Sequence, residues 1–149
     1  MKTIGWLLKN KNHSGDVWGI VPDATVLEAL AILAERNIGA LMVMTGEKLV
    51  GIISERDYAR KVALNGKSSK TTIVREIMTS PVYTITAENT LSEGMRVMSD
   101  NHIRHLPVLA DGKVVGMVSI GDLIKAVMLE QASIIDHLKA YIRGGSVAG

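Results

Sequence analysis

The chain of 149 residues contains no cysteine and no phenylalanine. Without cysteine there are no disulfides, thiolate metal sites or cysteine nucleophiles, a composition that suits a reducing compartment and points to the cytoplasm. Aromatic residues are scarce, two Trp and three Tyr, so the apolar 47% of the chain is Val, Ile, Leu, Ala and Met. Such side chains suit a core of packed helices and sheet. Charge of one sign is lacking too: the formal net charge is +2. With neither a basic excess nor interleaved aromatics, a nucleic-acid surface is not expected. No apolar run approaches the roughly eighteen residues of a membrane span. Met1 to Gly15 carries charges and no small-residue cleavage pattern, so a soluble, unprocessed protein is expected.

What is present is an internal repeat. Thr25 and Thr90, Gly51 and Gly116, and Asp57 and Asp122 all stand 65 positions apart. Sliding Pro22–Val62 over Ala87–Val127 needs no gap, and eleven positions are identical. Two copies are too few for a solenoid, so they are expected to pack on each other about a pseudo-twofold axis, with the shared face central.

Each copy reads strand, helix, strand, strand, helix. Thr25 and Thr90, each with Glu three residues on, are capping boxes that open a helix. In copy one, Val26, Leu30, Leu33 and Ala34 recur at helical spacing and Gly39 supplies the stop. Hairpins follow over Ala40 to Ile53, with a turn at Thr45 to Lys48, and over Leu106 to Val118, with Asp111-Gly112 at the turn. Short strands are predicted at Val17–Val21 and Val82–Thr86, and second helices near Ser54 and Ser119. The class is α+β, because the strands are apolar with little alternation and need cover on both faces. The expected organisation is an N-terminal helical segment over 1–14, repeat one over 15–66, a linker and short helix over 67–80, repeat two over 81–130, and a C-terminal helix and tail over 131–149. Ile73 to Met78 forms the short helix, and Thr3 to Leu8 is its counterpart. The last helix, Ala132 to Arg143, has Ile134, Ile135, Leu138 and Ile142 on one side, stops at Gly144-Gly145, and needs a partner for that side.

The best-matched stretch is Gly51-Ile-Ile-Ser54-Glu-Arg-Asp57 against Gly116-Met-Val-Ser119-Ile-Gly-Asp122. With Ile38 to Val43 and Ile103 to Val108, the latter carrying His-Leu-Pro-Val, it resembles a tandem pair of CBS domains, the Bateman module, over about Gly15 to Val127. The resemblance implies two CBS-type β-α-β-β-α repeats and two clefts for adenosine-containing ligands such as AMP, ADP, ATP, NAD(H) or, less expected, S-adenosylmethionine. It also implies that the aspartate holds the ribose and that tandem pairs associate as homodimers.

The residues support a compatible reading of their own. A serine opening a helix lies beside free backbone amides and the positive end of the helix dipole, where phosphate binds. The aspartate one turn on can accept ribose hydroxyls. Gly51 and Gly116 permit close approach of a ligand or neighbouring backbone. Candidate site residues in copy one are Val17, Ile20, Gly39, Ala40, Leu41, Ser54, Arg56 and Asp57. In copy two they are Val82, Tyr83, Thr84, Arg104, His105, Leu106, Ser119 and Asp122. The same Ser-x-x-Asp spacing is also a helix cap that contributes about 1 kcal/mol without any ligand, and both readings can hold together. Arg104 and His105, standing where copy one has Gly39 and Ala40, are expected to make the cleft of Asp122 the better mononucleotide site.

His13, His102, His105 and His137 show no metal-ligand spacing, and no metal site is expected. Trp6 and Trp18 could stack on a base or be buried between the copies. No Ser-His-Asp order, Gly-rich dinucleotide turn or Walker-type loop is present, so the expectation is a non-enzymatic sensor that signals to an effector protein. The competing reading is a ligand-free dimerisation or interaction scaffold, which the last helix keeps open.

Overall fold

The computed structural model describes residues 2–11 and 19–148, with side chains as far as residue 143. Its elements are α1 (Ile4–Lys9), β1 (Gly19–Ile20), α2 (Val26–Arg36), β2 (Ala40–Thr45), β3 (Lys48–Ser54), α3 (Glu55–Tyr58), α4 (Val74–Ile77), β4 (Ile85–Thr86), α5 (Leu91–Asn101), β5 (His105–Ala110), β6 (Lys113–Ser119) and α6 (Ile120–Ala148). A π-helical turn, Ala59–Ala63, continues α3. The fold is α+β, with two three-stranded sheets ordered β1-β2-β3 and β4-β5-β6. In each sheet the short first strand runs parallel to the second, and the hairpin is antiparallel.

Local chemistry explains the repetition. Both capping boxes form: Thr25 takes the Glu28 amide and Thr90 the Glu93 amide, and each glutamate returns a bond to its threonine's N–H. The first helix ends two residues before the expected stop. The left-handed stop is Asn37 in copy one and His102 in copy two, both at φ 53°, and not Gly39. Asn tolerates this conformation through its short polar side chain. The two-residue hairpin loops differ: Gly46 alone takes positive φ in the first, whereas Asp111 and Gly112 both do in the second, as type I′ turns require.

The short helices pair across the chain. In front of α4, Val74 donates to Ala24 O (2.8 Å) and Arg75 to Pro22 O (2.9 Å), while Val26 donates to Thr72 O (2.8 Å). In front of α1, Ile4 donates to Asn89 O (2.8 Å), Gly5 to Ala87 O (2.9 Å), and Leu91 to Lys2 O (3.2 Å). The free amides at each helix start are thus satisfied by the loop that opens α2 or α5. The helix preceding repeat one therefore docks on repeat two. Ile4 and Leu7 join the core of Leu91, Met98, Leu106, Val108, Val118 and Leu123, and Val74 and Ile77 join the core of Val26, Leu33, Leu41, Val43, Ile53 and Val62.

Gly51 and Gly116 stand where these docked segments touch the sheets. A Cβ on Gly51 would lie 2.5 Å from Met78 Sδ and 2.9 Å from its Cγ, and one on Gly116 3.0 Å from Leu8 Cδ2. The close neighbour that the glycines admit is thus a side chain of the chain itself. Two other expectations fail. Gly144-Gly145 does not stop the last helix, and α6 runs unbroken from Ile120 to Ala148, since glycine costs a helix only about 1 kcal/mol relative to Ala. The second helix of repeat two and the terminal helix are therefore one element. Among the described residues, no helix is long and apolar enough to cross a membrane.

Replacing Gly51 with alanine is expected to lower stability by about 1–3 kcal/mol. The expected observation is a lower denaturant midpoint at unchanged slope, and an unaltered midpoint would show that Met78 yields without cost.

Candidate functional site

Two clefts open on either side of the line where the copies meet. Gly39 and His105 line both. The Glu55 amide donates to Gly39 O (3.1 Å) and the equivalent Ile120 amide to Arg104 O (2.8 Å), so the pseudo-twofold relation reaches the backbone of the site. Gly39 is small because a Cβ there would come 3.2 Å from the His105 ring. The difference between Gly39-Ala40 and Arg104-His105 is therefore complementary, with the bulk of one copy filling the space left by the other.

The cleft of copy one, about 710 Å³, contains Gly39, Ala40, Ser54, Arg56, Asp57, Arg104 and His105 from the sequence-derived set. The cleft of copy two, about 470 Å³, contains Gly39, His105, Ser119 and Asp122. Arg104 thus lines the cleft of Asp57 and not that of Asp122, which removes the basis for preferring the second as the phosphate site. Ile20, Leu41 and Leu106 are core residues that line neither cleft. Val82, Tyr83 and Thr84 line neither cleft as well, and Tyr83 is 54% exposed. Val17 lies outside the described residues, as do His13 and Trp18. Ala40 and Met42, buried at 0% and 1%, belong to neither core cluster and form the apolar floor of the clefts.

Each aspartate is first of all a helix cap. Ser54 N–H donates to Asp57 Oδ2 at 2.9 Å, while Asp57 N–H donates to Ser54 Oγ at 3.1 Å. Ser119 and Asp122 repeat both bonds at the same lengths. The second partner is a lysine that the sequence reading missed. Lys61 Nζ lies 3.0 Å from Asp57 Oδ1, and Lys11 Nζ lies 2.8 Å from Asp122 Oδ2. Thr79 Oγ1 also donates to Asp57 Oδ1, at 3.2 Å, because Ile52 and Thr79 exchange both backbone hydrogen bonds and extend the edge of β3. Lys61 was legible as Asp57 plus four on a helix. Lys11 and Thr79 were not, since only the docking of α1 and α4 brings them in.

Burial by itself would raise the pKa of Asp122. The bonds from Lys11 and from the Ser119 amide outweigh it and hold the carboxyl below its ordinary value. Burial lowers the His105 pKa against the opposing pull of Asp122, with Lys11 and Arg104 adding to the lowering. Among the described residues, no cluster of three His, Asp or Glu could hold a metal ion.

Comparison with known proteins matches this geometry to a family. The CBS domain matches residues 14–64 and 74–129. The chain belongs to the CBS domain family. As a CBS pair it is 44% identical to the CBS domain-containing protein CBSX3, mitochondrial, of Arabidopsis thaliana, over 96% of this chain and 73% of that one. It superposes with TM-score 0.84 on a protein with CBS domains from Burkholderia ambifaria MC40-6, at 44% identity over 87% of this chain and 96% of that one. The CBS domain pair of protein MJ0100, solved in complex with 5′-methylthioadenosine and S-adenosyl-L-methionine, aligns with TM-score 0.74 and 28% identity over 87% of this CBS pair and 98% of that chain.

The His105 environment sets a pH response. A histidine whose pKa is depressed in the fold takes up a proton in the unfolded chain first, so its contribution to stability is complete above the ordinary value of 6.5 and is lost as pH falls below it. The denaturant midpoint is expected to drop between about pH 7.5 and 5.5, and His105→Gln to flatten that drop. An unchanged slope in the variant would remove His105 from the response. Asp122 acts in the same direction lower down, below its ordinary value of 3.8.

Proposed function

We propose that this CBS pair is a regulatory module that binds adenosine-containing ligands in its two clefts and signals occupancy to a partner protein by conformational change. The observation that carries the reading is the pair of equivalent Ser-Asp corners, Ser54 with Asp57 and Ser119 with Asp122. Each opens on a cleft of about 710 or 470 Å³, within the size range of small-molecule sites. AMP, ADP, ATP and NAD(H) suit the cationic side chains at the rims. S-adenosylmethionine suits them less, although the MJ0100 pair is complexed with it. Signalling requires that a ligand bind two arrangements of the copies with different affinity. The reading is non-enzymatic, because each cleft aspartate is held by a lysine and a backbone amide, contacts that fix it as an anchor. Turnover of ATP or NAD by the purified protein would reverse that part.

A ligand at one hundred times its dissociation constant should stabilise the fold by about 2.7 kcal/mol in a thermal-shift screen. Asp57→Ala and Asp122→Ala should each weaken one binding event by about tenfold or more in calorimetry, as lost hydrogen bonds to ribose would. Unchanged isotherms in both variants would remove the assignment.

An unpartnered apolar face on the last helix supports a homodimer as well, whichever ligand is bound. On α6, Ile124, Met128, Ile135, Leu138 and Ile142 are 45–80% exposed and follow the alternating four-and-three spacing of a helix seam, interrupted at Gln131. Leu129, Ile134 and Tyr141 on the same helix are exposed as well. Light scattering should show a dimer, and Ile135→Glu with Leu138→Glu should yield a folded monomer. A monomeric wild-type protein would overturn this.

A further inference from the structure

In both clefts the carboxylate proposed for the ribose is already engaged by an ammonium group. Lys61 Nζ lies 3.0 Å from Asp57 and also donates to Ile77 O at 2.9 Å. Lys11 Nζ lies 2.8 Å from Asp122 and donates to Met117 O at 2.9 Å. The two lysines are not products of the repeat. Lys61 follows Asp57 by one helical turn, whereas Ala126 stands at the equivalent position after Asp122, and Lys11 comes from the segment behind α1. Different parts of the chain thus supply the same contact to equivalent aspartates.

A ribose that takes the aspartate must displace this ammonium, and the displaced charge needs a new partner. Water serves it poorly at the second cleft, where the side chains of Lys11 and Asp122 are only 26% and 27% exposed, and less poorly at the first, where Lys61 is 44% exposed beside an Asp57 that is 13% exposed. A phosphate on the same ligand serves it well through charge-assisted hydrogen bonds. The clefts differ in how much further anion they can hold. That of Asp57 sets Arg56, Arg60, Lys61 and Arg104 against Glu55 and Asp57. That of Asp122 sets Lys11 and Arg36 against Glu35 and Asp122.

We propose that Lys61 and Lys11 make the two clefts selective for phosphorylated over uncharged or cationic adenosine compounds, each lysine holding its aspartate until a phosphate draws it away. The proposal rests on the adenosine-binding reading above and adds the charge of the ligand to it. The cation-rich cleft of Asp57 takes nucleoside di- and triphosphates, and the charge-balanced cleft of Asp122 takes a monophosphate. Adenosine and methylthioadenosine displace the lysine without offering it an anion, and S-adenosylmethionine offers only one carboxylate beside its own ammonium and sulfonium charges.

Calorimetry with adenosine, AMP and ATP on wild type, Lys61→Met and Lys11→Met tests this, because methionine keeps the apolar stem and removes the charge. Wild type is expected to bind ATP at least about tenfold more tightly than adenosine, with the gap closing as salt is raised. In Lys61→Met the two affinities should move in opposite directions, ATP weaker and adenosine tighter. In Lys11→Met, AMP and adenosine should do the same at the second cleft. A purely structural role for the lysines would weaken both ligands together, and that result would overturn the proposal, as would equal binding of adenosine and ATP by wild type. Binding of these compounds without the crossover leaves the adenosine reading standing and removes only the lysine role. No binding of any of them to any variant removes both.

Discussion

The contact of Met78 with Gly51, and its counterpart of Leu8 with Gly116, is the constraint on which the rest of the site depends. Each glycine lies on the last strand of a repeat, and the missing side chain lets a docked segment lie flush against the sheet. At the first repeat that closeness lets Thr79 pair with the edge of β3 and reach Asp57, and it brings Ile77 O within reach of Lys61. At the second it holds α1 against β6, so that Lys11 just beyond it meets Asp122. A bulkier residue on either strand would lift the segment and, with it, the groups that close the aspartate's surroundings.

The cap and the cleft share their atoms. Ser54 and Asp57 satisfy each other's backbone amides at a helix start, a local device that needs no ligand. That device also fixes the carboxylate at the mouth of the cleft, where a lysine completes its shell. His105 is the common wall: its ring lies against Gly39, and burial lowers its pKa against the opposing pull of Asp122. His105 and Gly39 thus face both clefts.

Much of this was legible in the linear chain. The constant offset of 65 records the repeated order of elements, and the two Thr-Glu capping boxes and the two Ser-Asp corners describe local geometry within one turn of backbone that the structure forms in full. Ile20, Leu41 and Leu106 were assigned to the ligand slot and are core residues, because an apolar strand covered on both faces carries no alternation to say which face a residue takes. Arg104 was assigned to the wrong cleft because, just ahead of β5, it lines the cleft of the other copy.

The sequence by itself determined the repeat, through its matched positions 65 apart, and the elements and Ser-Asp corners of each copy, which depend on neighbours three or four residues apart. Only the tertiary structure decided what surrounds them. The docking of α1 on the second repeat, the seating of Met78 and Leu8 against Gly51 and Gly116, and the Lys11–Asp122 pair join residues that are distant along the chain. No periodicity records such contacts, because they follow from how two sheets and their docked helices fill space together.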